Sequence, residues 1–204
     1  MATGAIRKKG PVAHVFGGRL CLDYVNTVDA WSRPATRNDL PDYAALLAWA
    51  RQLRALPDPL LDALRDECAR HPAQAGRVHR QALELRSLLL RIFSRTAEGE
   101  PLAPDDVRQF EAWSQRARQC EVLRPGQPWA FELAPDKADL AAPLLAVVVS
   151  AMQLLTSEAL SRVKSCPGPI GCGWLFLDLS KNRSRRWCSM QHCGTRAKFQ
   201  PADA

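Results

Sequence analysis

Apolar side chains recur at spacings of three and four residues through much of the first 120 residues, and this periodicity predicts a bundle of amphipathic α-helices. The most regular stripe lies within residues 73–96 and is wide enough to face a core. Prolines at positions 41, 59, 72 and 104 each fit the first turn of a helix. Asn38 or Asp39 is placed to cap the first of these four helices.

Two later segments depart from this pattern. Residues 120–133 hold two short apolar runs on either side of a Pro-Gly turn, which predicts a short β-hairpin. Residues 139–164 begin almost wholly apolar and predict a central helix. Its uncharged part, 140–157, contains a proline and several polar residues and has no aromatic belt, so we favour a buried helix over a membrane span. We place the domain boundary between an N-terminal bundle, residues 1–164, and a C-terminal module, residues 165–204.

Composition adds a location and a charge asymmetry. The chain has 204 residues, 47% of them apolar and 24% charged, as in an ordinary soluble globular protein. Its first ten residues are basic but precede no apolar segment, so we expect no secretory signal and a cytoplasmic, reducing location. The net charge is +7, and residues 160–204 hold 8 basic against 2 acidic side chains. Such a concentrated excess favours an anionic partner.

The seven cysteines fall into two groups. Cys21, Cys68 and Cys120 lie far apart in apolar surroundings, which is typical of buried core cysteines. The other four crowd into the C-terminal module with the spacing C-x5-C-x15-C-x4-C, and they are Cys166, Cys172, Cys188 and Cys193. Two close pairs separated by a connector can bring four thiolates around one Zn²⁺. The sequence therefore predicts a structural zinc site.

Three other fates of these cysteines stay open at this point. Disulfides would need an oxidising compartment, for which no targeting segment is visible. A catalytic zinc would leave one position to water, whereas four thiolates can close the coordination sphere. An iron–sulfur cluster is chemically allowed, but a connector of hairpin length suits a zinc finger better. His192 could replace a neighbouring cysteine as ligand, although four thiols favour a position outside the metal for it.

The connector between the cysteine pairs has its own pattern. Residues 173–178 predict a strand with Trp174 and Phe176 on one face and two leucines on the other. A turn and a return strand, residues 185–187, would complete a hairpin that delivers Cys188, and Cys193 would begin a terminal helix. A module of about 40 residues cannot fold unaided, so zinc would supply on the order of 10 kcal/mol of its stability. Metal loss is then expected to unfold the module and spare the bundle.

Cations without any acidic neighbour follow the predicted strand. The stretch from residue 179 to 201 contains Lys181, Arg183, Arg185, Arg186, Arg196 and Lys198. Guanidinium forks match phosphates and guanine edges, so we predict that these side chains, with Asn182 in the turn, contact nucleic acid. A solvated basic face or a protein-docking patch is the alternative interpretation.

These motifs carry a resemblance to two known families. The segments around the cysteines resemble the CGNR zinc finger, with the naming motif written Cys-Gly-Thr-Arg because Thr195 replaces the asparagine. Residues 16–27, Phe-Gly-Gly-Arg-Leu-Cys-Leu-Asp-Tyr-Val-Asn-Thr, resemble the opening of the ABATE domain, which precedes that finger in bacterial proteins regarded as stress-induced transcription regulators. The resemblance implies a mostly helical N-terminal domain followed by a DNA-binding finger.

The opening motif also offers a candidate ligand pocket. Asp23 and Asn26 stand one helical turn apart and could line a pocket with Thr27 and Asp29. Capping a helix or satisfying buried backbone groups is the alternative role for such side chains. A small-molecule effector would suit a regulator, because a reader of DNA needs an input, but this rests on analogy.

Together these observations predict a mainly α protein. We expect an N-terminal helical bundle with a short β-hairpin, joined to a small treble-clef-like zinc finger made of a β-hairpin and a short helix. The usual signatures of nucleotide-binding and metalloprotease enzymes are absent, so we expect a DNA-binding transcription regulator and not an enzyme. An RNA-binding or protein–protein adaptor that uses the same finger is the alternative. A homodimer would supplement the few base contacts of a single finger.

Overall fold

The computed structural model describes residues 15–28, 37–134, 139–168 and 172–199. Its helices are α1 (Leu20–Val25), α2 (Tyr43–Gln52), α3 (Asp58–Arg70), α4 (Pro72–Glu98), α5 (Pro104–Gln119), α6 (Ala142–Leu155) and α7 (Thr195–Phe199). Its strands are β1 (Glu121–Arg124), β2 (Ala130–Leu133), β3 (Val163–Ser165) and β4 (Leu175–Leu177). A 3₁₀ turn, Glu158–Arg162, precedes β3, and a π-helical turn, Met190–Gly194, leads into α7. The protein is thus mostly helical with two small antiparallel hairpins.

The core of the bundle forms around α6. Nine of the fourteen residues of this helix are buried, among them every residue from position 142 to 148, as this apolar stretch requires. Helix α1 packs between α6 and α4, where the Cys21 amide donates to Ser150 Oγ (3.2 Å) and the Tyr24 hydroxyl donates to the Ala82 carbonyl (2.6 Å). Cys21 is fully buried, and Cys68 and Cys120 pack against the core from half-buried positions. These bonds satisfy the polar groups that α1 takes into the interior.

The predicted helix starts are confirmed for three helices and shifted for the fourth. Helices α3, α4 and α5 each begin with a proline in the first two positions, and α4 ends where Gly99 adopts a left-handed φ of 73°. The cap of α2 is Asp42, whose carboxylate accepts from the Ala45 amide (2.7 Å). The prediction of Asn38 or Asp39 as this cap was therefore wrong, because both lie upstream of the first turn.

The central helix is shorter than predicted. It ends at Leu155, whereas the apolar pattern predicted one helix over 139–164. The Thr156 hydroxyl bonds back to the Met152 carbonyl (2.9 Å) and the Ser157 hydroxyl to the Leu154 carbonyl (2.9 Å). These hydroxyls satisfy the last carbonyls locally and compete with continuation of the helix. No helix among the described residues is long and apolar enough to cross a membrane.

The two hairpins differ in their surroundings. Strands β1 and β2 pair with Leu123 opposite Phe131, as predicted, and much of their apolar surface is exposed. Strand β4 pairs with β3, which precedes it, so the predicted pairing with a return strand at 185–187 was wrong. The physical reason is that the opening motif already bonds to backbone groups of β4, since the Leu177 amide donates to the Gly17 carbonyl (2.8 Å) and the Leu175 backbone pairs with the Asn26 side chain.

Strand β4 joins the bundle to the cysteine-rich region. Its Leu175 and Leu177 belong to the core of the helical bundle. Trp174 and Phe176 belong instead to a second apolar cluster that contains the C-terminal cysteines. The alternation predicted from the sequence is confirmed, and both faces of this short strand are buried.

Candidate metal centre and basic surface

Four cysteine sulfurs converge at the end of the second hairpin. Cys166 directly follows β3, Cys172 precedes β4, Cys188 follows the basic loop, and Cys193 lies in the π-helical turn. Their Sγ atoms all lie within 4.8 Å of one another. The Sγ atoms of Cys172 and Cys188 are 3.8 Å apart, and those of Cys188 and Cys193 are 3.6 Å apart. A tetrahedral Zn–S₄ site with bonds of 2.3 Å has edges of about 3.8 Å, so the four cysteines could hold one zinc ion.

The electrostatics of the cluster also fit a cation. The thiols of Cys172 and Cys188 hydrogen-bond to the Cys166 sulfur and lower the pKa of Cys166 far below its usual value. Hydrogen bonds to the Cys166 and Cys172 sulfurs raise the pKa of Cys188 well above its usual value, because they favour its protonated form, and burial and the charges of the neighbouring thiolates act in the same direction. A divalent ion removes this opposition and allows all four thiols to ionise.

Two glycines allow the chain to close around the sulfurs. A Cβ on Gly168 would lie 2.5 Å from the Cβ of Cys172 and 3.4 Å from the Sγ of Cys193. A Cβ on Gly194, the glycine of the Cys-Gly-Thr-Arg motif, would lie 2.8 Å from the Met190 sulfur. Position 168 therefore requires glycine for the close approach of Cys172, whereas a side chain at position 194 would meet the flexible end of Met190, which can move.

His192 lies outside the cysteine cluster. It is exposed, and its Nδ1 lies 3.1 Å from Ser189 Oγ, which also accepts from the His192 amide (3.3 Å). Its ring packs 5.3 Å from the Phe16 ring, between centroids. Thr195, which replaces the asparagine of the motif, donates its hydroxyl to the Met190 carbonyl (2.9 Å). Both side chains stabilise the turn that carries Cys193.

The basic loop after β4 is organised by one buried acid. Asp178 is 0% exposed and accepts from Lys164 Nζ (2.6 Å), the Ser180 hydroxyl (2.6 Å) and the Arg185 amide (3.1 Å). Burial opposes ionisation, but the bonds from Lys164 and Ser180 outweigh it and hold the pKa of Asp178 well below its usual range. Lys164 Nζ also donates to the Arg183 carbonyl (2.6 Å). The ion pair between the buried Asp178 and the half-buried Lys164 thus fixes the loop.

Arg185 points into the protein. Its guanidinium donates to the carbonyls of Trp187 (3.0 Å), Leu177 (3.3 Å), Phe16 (3.1 Å) and Cys188, and it lies 4.5 Å from the centroid of the Phe176 ring. Four of its five N–H groups are used in these bonds. The sequence grouped Arg185 with the nucleic-acid contacts. In the structure its guanidinium connects the opening motif, at Phe16, to the cysteine cluster, at Cys188.

The remaining cations of the module point outward. Lys181, Asn182, Arg183, Arg186, Arg196 and Lys198 are all exposed. Arg186 lies over the Trp187 ring, 5.7 Å from its centroid. Among the residues that the structure describes, the salt bridges include none of these five cations. They form a basic surface, which we define as these five cations and Asn182.

The three side chains predicted to line a ligand pocket are buried and bonded to the chain itself. Asn26 donates Nδ2 to the Leu175 carbonyl (2.8 Å) and accepts from the Leu175 amide (3.0 Å), so it pairs with strand β4 like a neighbouring strand. Asp23 accepts from the Gly17 amide (2.7 Å), and Thr27 donates to the Tyr24 carbonyl (2.7 Å). These bonds match the alternative of satisfying buried backbone groups, and the ligand pocket stays a prediction. Asp29 lies outside the described residues.

The carboxyl of Asp23 has a raised pKa. Burial raises the pKa of its carboxyl to about 6, while the amides of Gly17 and Phe16 and the charge of Arg185 act in the opposite direction. Gly17 itself accepts from the Leu177 amide (2.8 Å), and a Cβ there would lie 2.8 Å from the Asp23 nitrogen. The opening motif is therefore joined to strand β4 by backbone and side-chain hydrogen bonds.

Sequence reasoning did not single out Asp178, Lys164 or Gly17. A usable indication existed for Asp178, since it is the last acid before a long run of cations. Lys164 could not be found in this way, because it was assigned to a helix.

Comparison with known proteins gives two matches. A family model described as "Putative stress-induced transcription regulator", ABATE, matches residues 18–158. A second, described as "CGNR zinc finger", matches residues 162–203. Neither description names an enzyme. No curated protein matches the chain.

Proposed function

The chain belongs to the ABATE family and carries a CGNR zinc finger, and from this premise we propose that it is a cytoplasmic transcription regulator that binds duplex DNA through its basic surface. The observation that carries the proposal is the set of five exposed cations on a loop and helix fixed by the cysteine cluster and by Asp178. Zinc would be held by the four cysteines and would supply rigidity, not chemistry.

Preorganisation makes this surface suited to a phosphate backbone. Its cations have no carboxylate partners among the described residues, so they need not break ion pairs before they meet phosphates. Arg183 and Arg186 lie on either side of Arg185 in the sequence, and Arg183 has a left-handed φ of 51°. The inward bonds of Arg185 fix the part of the loop that carries both exposed arginines. If all five cations meet phosphates, the plot of log K against log salt has a slope of about −4.5.

A salt titration with matched variants tests the proposal. We expect the wild-type protein to bind a duplex at low salt, and Arg183→Ala with Arg186→Ala to reduce the salt slope by about 2, at about 0.9 per contact. The control is Arg77→Ala with Arg80→Ala, which removes the same charge from exposed positions on α4. The control should keep the wild-type slope, because a nonspecific effect of net charge would change both pairs alike.

Two results would contradict the proposal. One is the absence of duplex affinity at low salt, and the other is an unchanged slope in the Arg183 and Arg186 variant. A preference for RNA of the same length over duplex DNA would instead support the adaptor interpretation. Arg185→Ala is unsuitable as a contact test, since it leaves four carbonyls without their donor and disturbs the finger itself.

A further inference from the structure

A buried arginine lies in the bundle, and no carboxylate among the described residues pairs with it. Arg86 belongs to α4, is 8% exposed, and donates Nη1 to Thr27 Oγ1 (3.1 Å) and to Asn38 Oδ1 (2.8 Å). Both acceptors are neutral. Burial lowers the pKa of Arg86, with the Tyr24 and Asp39 groups acting in the opposite direction, yet an arginine stays charged in proteins. The positive charge of Arg86 is therefore not neutralised by either of the two described side chains that accept its hydrogen bonds.

Within the part of the chain that the structure describes, the other edge of the guanidinium has no acceptor. Nε and Nη2 carry three N–H groups, and no acceptor for them is present among the described residues. Asp39 acts on Arg86 only through its charge, because its carboxylate is held by Arg37 Nε (2.7 Å) and Nη2. Trp49 Nε1 is the one side-chain nitrogen or oxygen, among the described residues, that is both sealed from solvent and without a partner. Nε and Nη2 of Arg86 do not meet both conditions. The open nitrogens of Arg86 are therefore accessible, and the neighbouring Asn38 is exposed.

This open edge has a defined chemical preference. Unpaired donors of a buried cation are costly, and the Nε and Nη2 edge of a guanidinium matches two oxygens of one oxyanion. We propose that Arg86, together with Thr27 and Asn38, forms a binding site for the carboxylate or phosphate group of a small molecule. Asn38 uses its Oδ1 for Arg86 and for the Leu40 amide (3.3 Å), which leaves its Nδ2 as a further donor to the anion.

The site lies next to both connections between the bundle and the finger. Thr27 follows Asn26, whose amide pairs with Leu175 in β4. Arg37, the partner of Asp39, lies over the Trp174 ring of the metal cluster, 5.0 Å from its centroid. An anion at Arg86 is thus placed beside the residues that position the finger, although its binding does not depend on any affinity of the finger for DNA.

The test uses the full-length zinc-loaded protein and three probes, inorganic phosphate, acetate and benzoate. Melting temperature and calorimetric binding are measured at constant ionic strength, with chloride as the reference anion. We expect at least one probe to raise the melting temperature with saturation. Arg86→Gln should lose this response, with affinity reduced at least tenfold, since one charge-assisted fork contributes that much. Which probe saturates at the lowest concentration separates the carboxylate from the phosphate source.

Three further variants make the outcome decisive. Arg80→Gln removes the same charge from an exposed position of α4 and should keep the response. The Arg183→Ala, Arg186→Ala protein should keep it too, which excludes anion binding at the basic surface. Arg86→Lys preserves the charge but not the fork, so it should bind severalfold more weakly, and it serves if Arg86→Gln does not fold. The proposal is wrong if no probe saturates, or if either Arg86 variant binds as the wild type does.

Discussion

Replacing Asn26 with alanine should weaken the whole chain, because this side chain joins α1 to strand β4. Asn26 is 2% exposed, and both of its bonds go to the backbone of Leu175. Without them the buried Leu175 amide and carbonyl lose their partners, at about 1–3 kcal/mol for each group. If water enters and meets part of this need, the loss is about 2 kcal/mol, which shifts a urea midpoint by about 1 M at a slope of about 2 kcal/mol/M.

Asn26→Asp gives a sharper form of the same test. At neutral pH the introduced carboxylate accepts from the Leu175 amide but cannot donate to the Leu175 carbonyl, and burial raises its pKa. A group whose folded pKa is raised has its stabilising contribution below the unfolded pKa and loses it as pH rises through the folded pKa. The deficit relative to wild type should therefore shrink on acidification from about pH 8 to 5.5, where the protonated carboxyl donates again.

Urea unfolding of zinc-loaded protein at each pH measures both effects. Asn182→Ala, at an exposed position of the basic surface, is the matched control and should change the free energy of unfolding by less than about 0.5 kcal/mol. The reasoning fails if Asn26→Ala costs no more than this control. It also fails if the deficit of Asn26→Asp is the same at every pH, since a real pairing with Leu175 must respond to the proton.

Three other predictions concern the finger and its attachment. Asp23→Asn should remove a loss of stability of about 2 kcal/mol between pH 4 and 6, because the wild-type carboxyl, with its pKa raised from 3.8 to about 6, favours the folded state while it is protonated. The difference between the urea-unfolding free energies of the two proteins across this pH range measures the loss, and parallel pH profiles would contradict the prediction. The sequence alone predicted that metal loss would spare the bundle, but Leu175 and Leu177 lie in the bundle core. Chelation of zinc should therefore lower the melting temperature of the helical signal as well as that of the finger. A helical transition that the chelator leaves unchanged would show that the two units unfold independently. Asp178→Asn should speed hydrogen exchange at the Ser180 and Arg185 amides, because it removes the carboxylate charge to which both amides and Lys164 donate. Unchanged exchange in the zinc-loaded protein would show that the metal alone orders the loop.

The features that sequence reasoning recovered are local. Proline positions set the starts of α3, α4 and α5, and the alternation of residues 174–177 gave the two faces of β4. Helix propensity and strand alternation act over a few residues, so a single sequence contains the needed information. The spacing of the four cysteines belongs to the same class, because a metal site requires close pairs of ligands.

The features that it missed depend on distant partners. Strand β4 was assigned to a following strand, but its partners are β3 and, 149 residues away, Asn26. The inward bonds of Arg185 were not foreseen either, and they include one to the carbonyl of Phe16, 169 residues upstream. Long-range pairing of this kind leaves no periodic trace in one sequence. The Asp178 network is local by comparison, since its partners lie within 14 residues, and it was missed because Lys164 was assigned to a helix.

Strand β4 also bears on how the two family regions act together. The regions matched by the two families meet between residues 158 and 162, and β3, which starts at Val163, lies wholly in the second of them. Yet Val163, Leu175 and Leu177 are core residues of the bundle, while the other face of β4 packs on the metal cluster. Any shift of Leu175 relative to α1 must therefore move a side chain of each core, since closely packed interiors do not absorb displacement. The basic surface begins with Lys181, three residues beyond Asp178, which directly follows β4. A displacement of the opening motif would thus be passed through β4 to the proposed DNA-binding face. The Asn26 variants test the first of these connections, the one between α1 and β4.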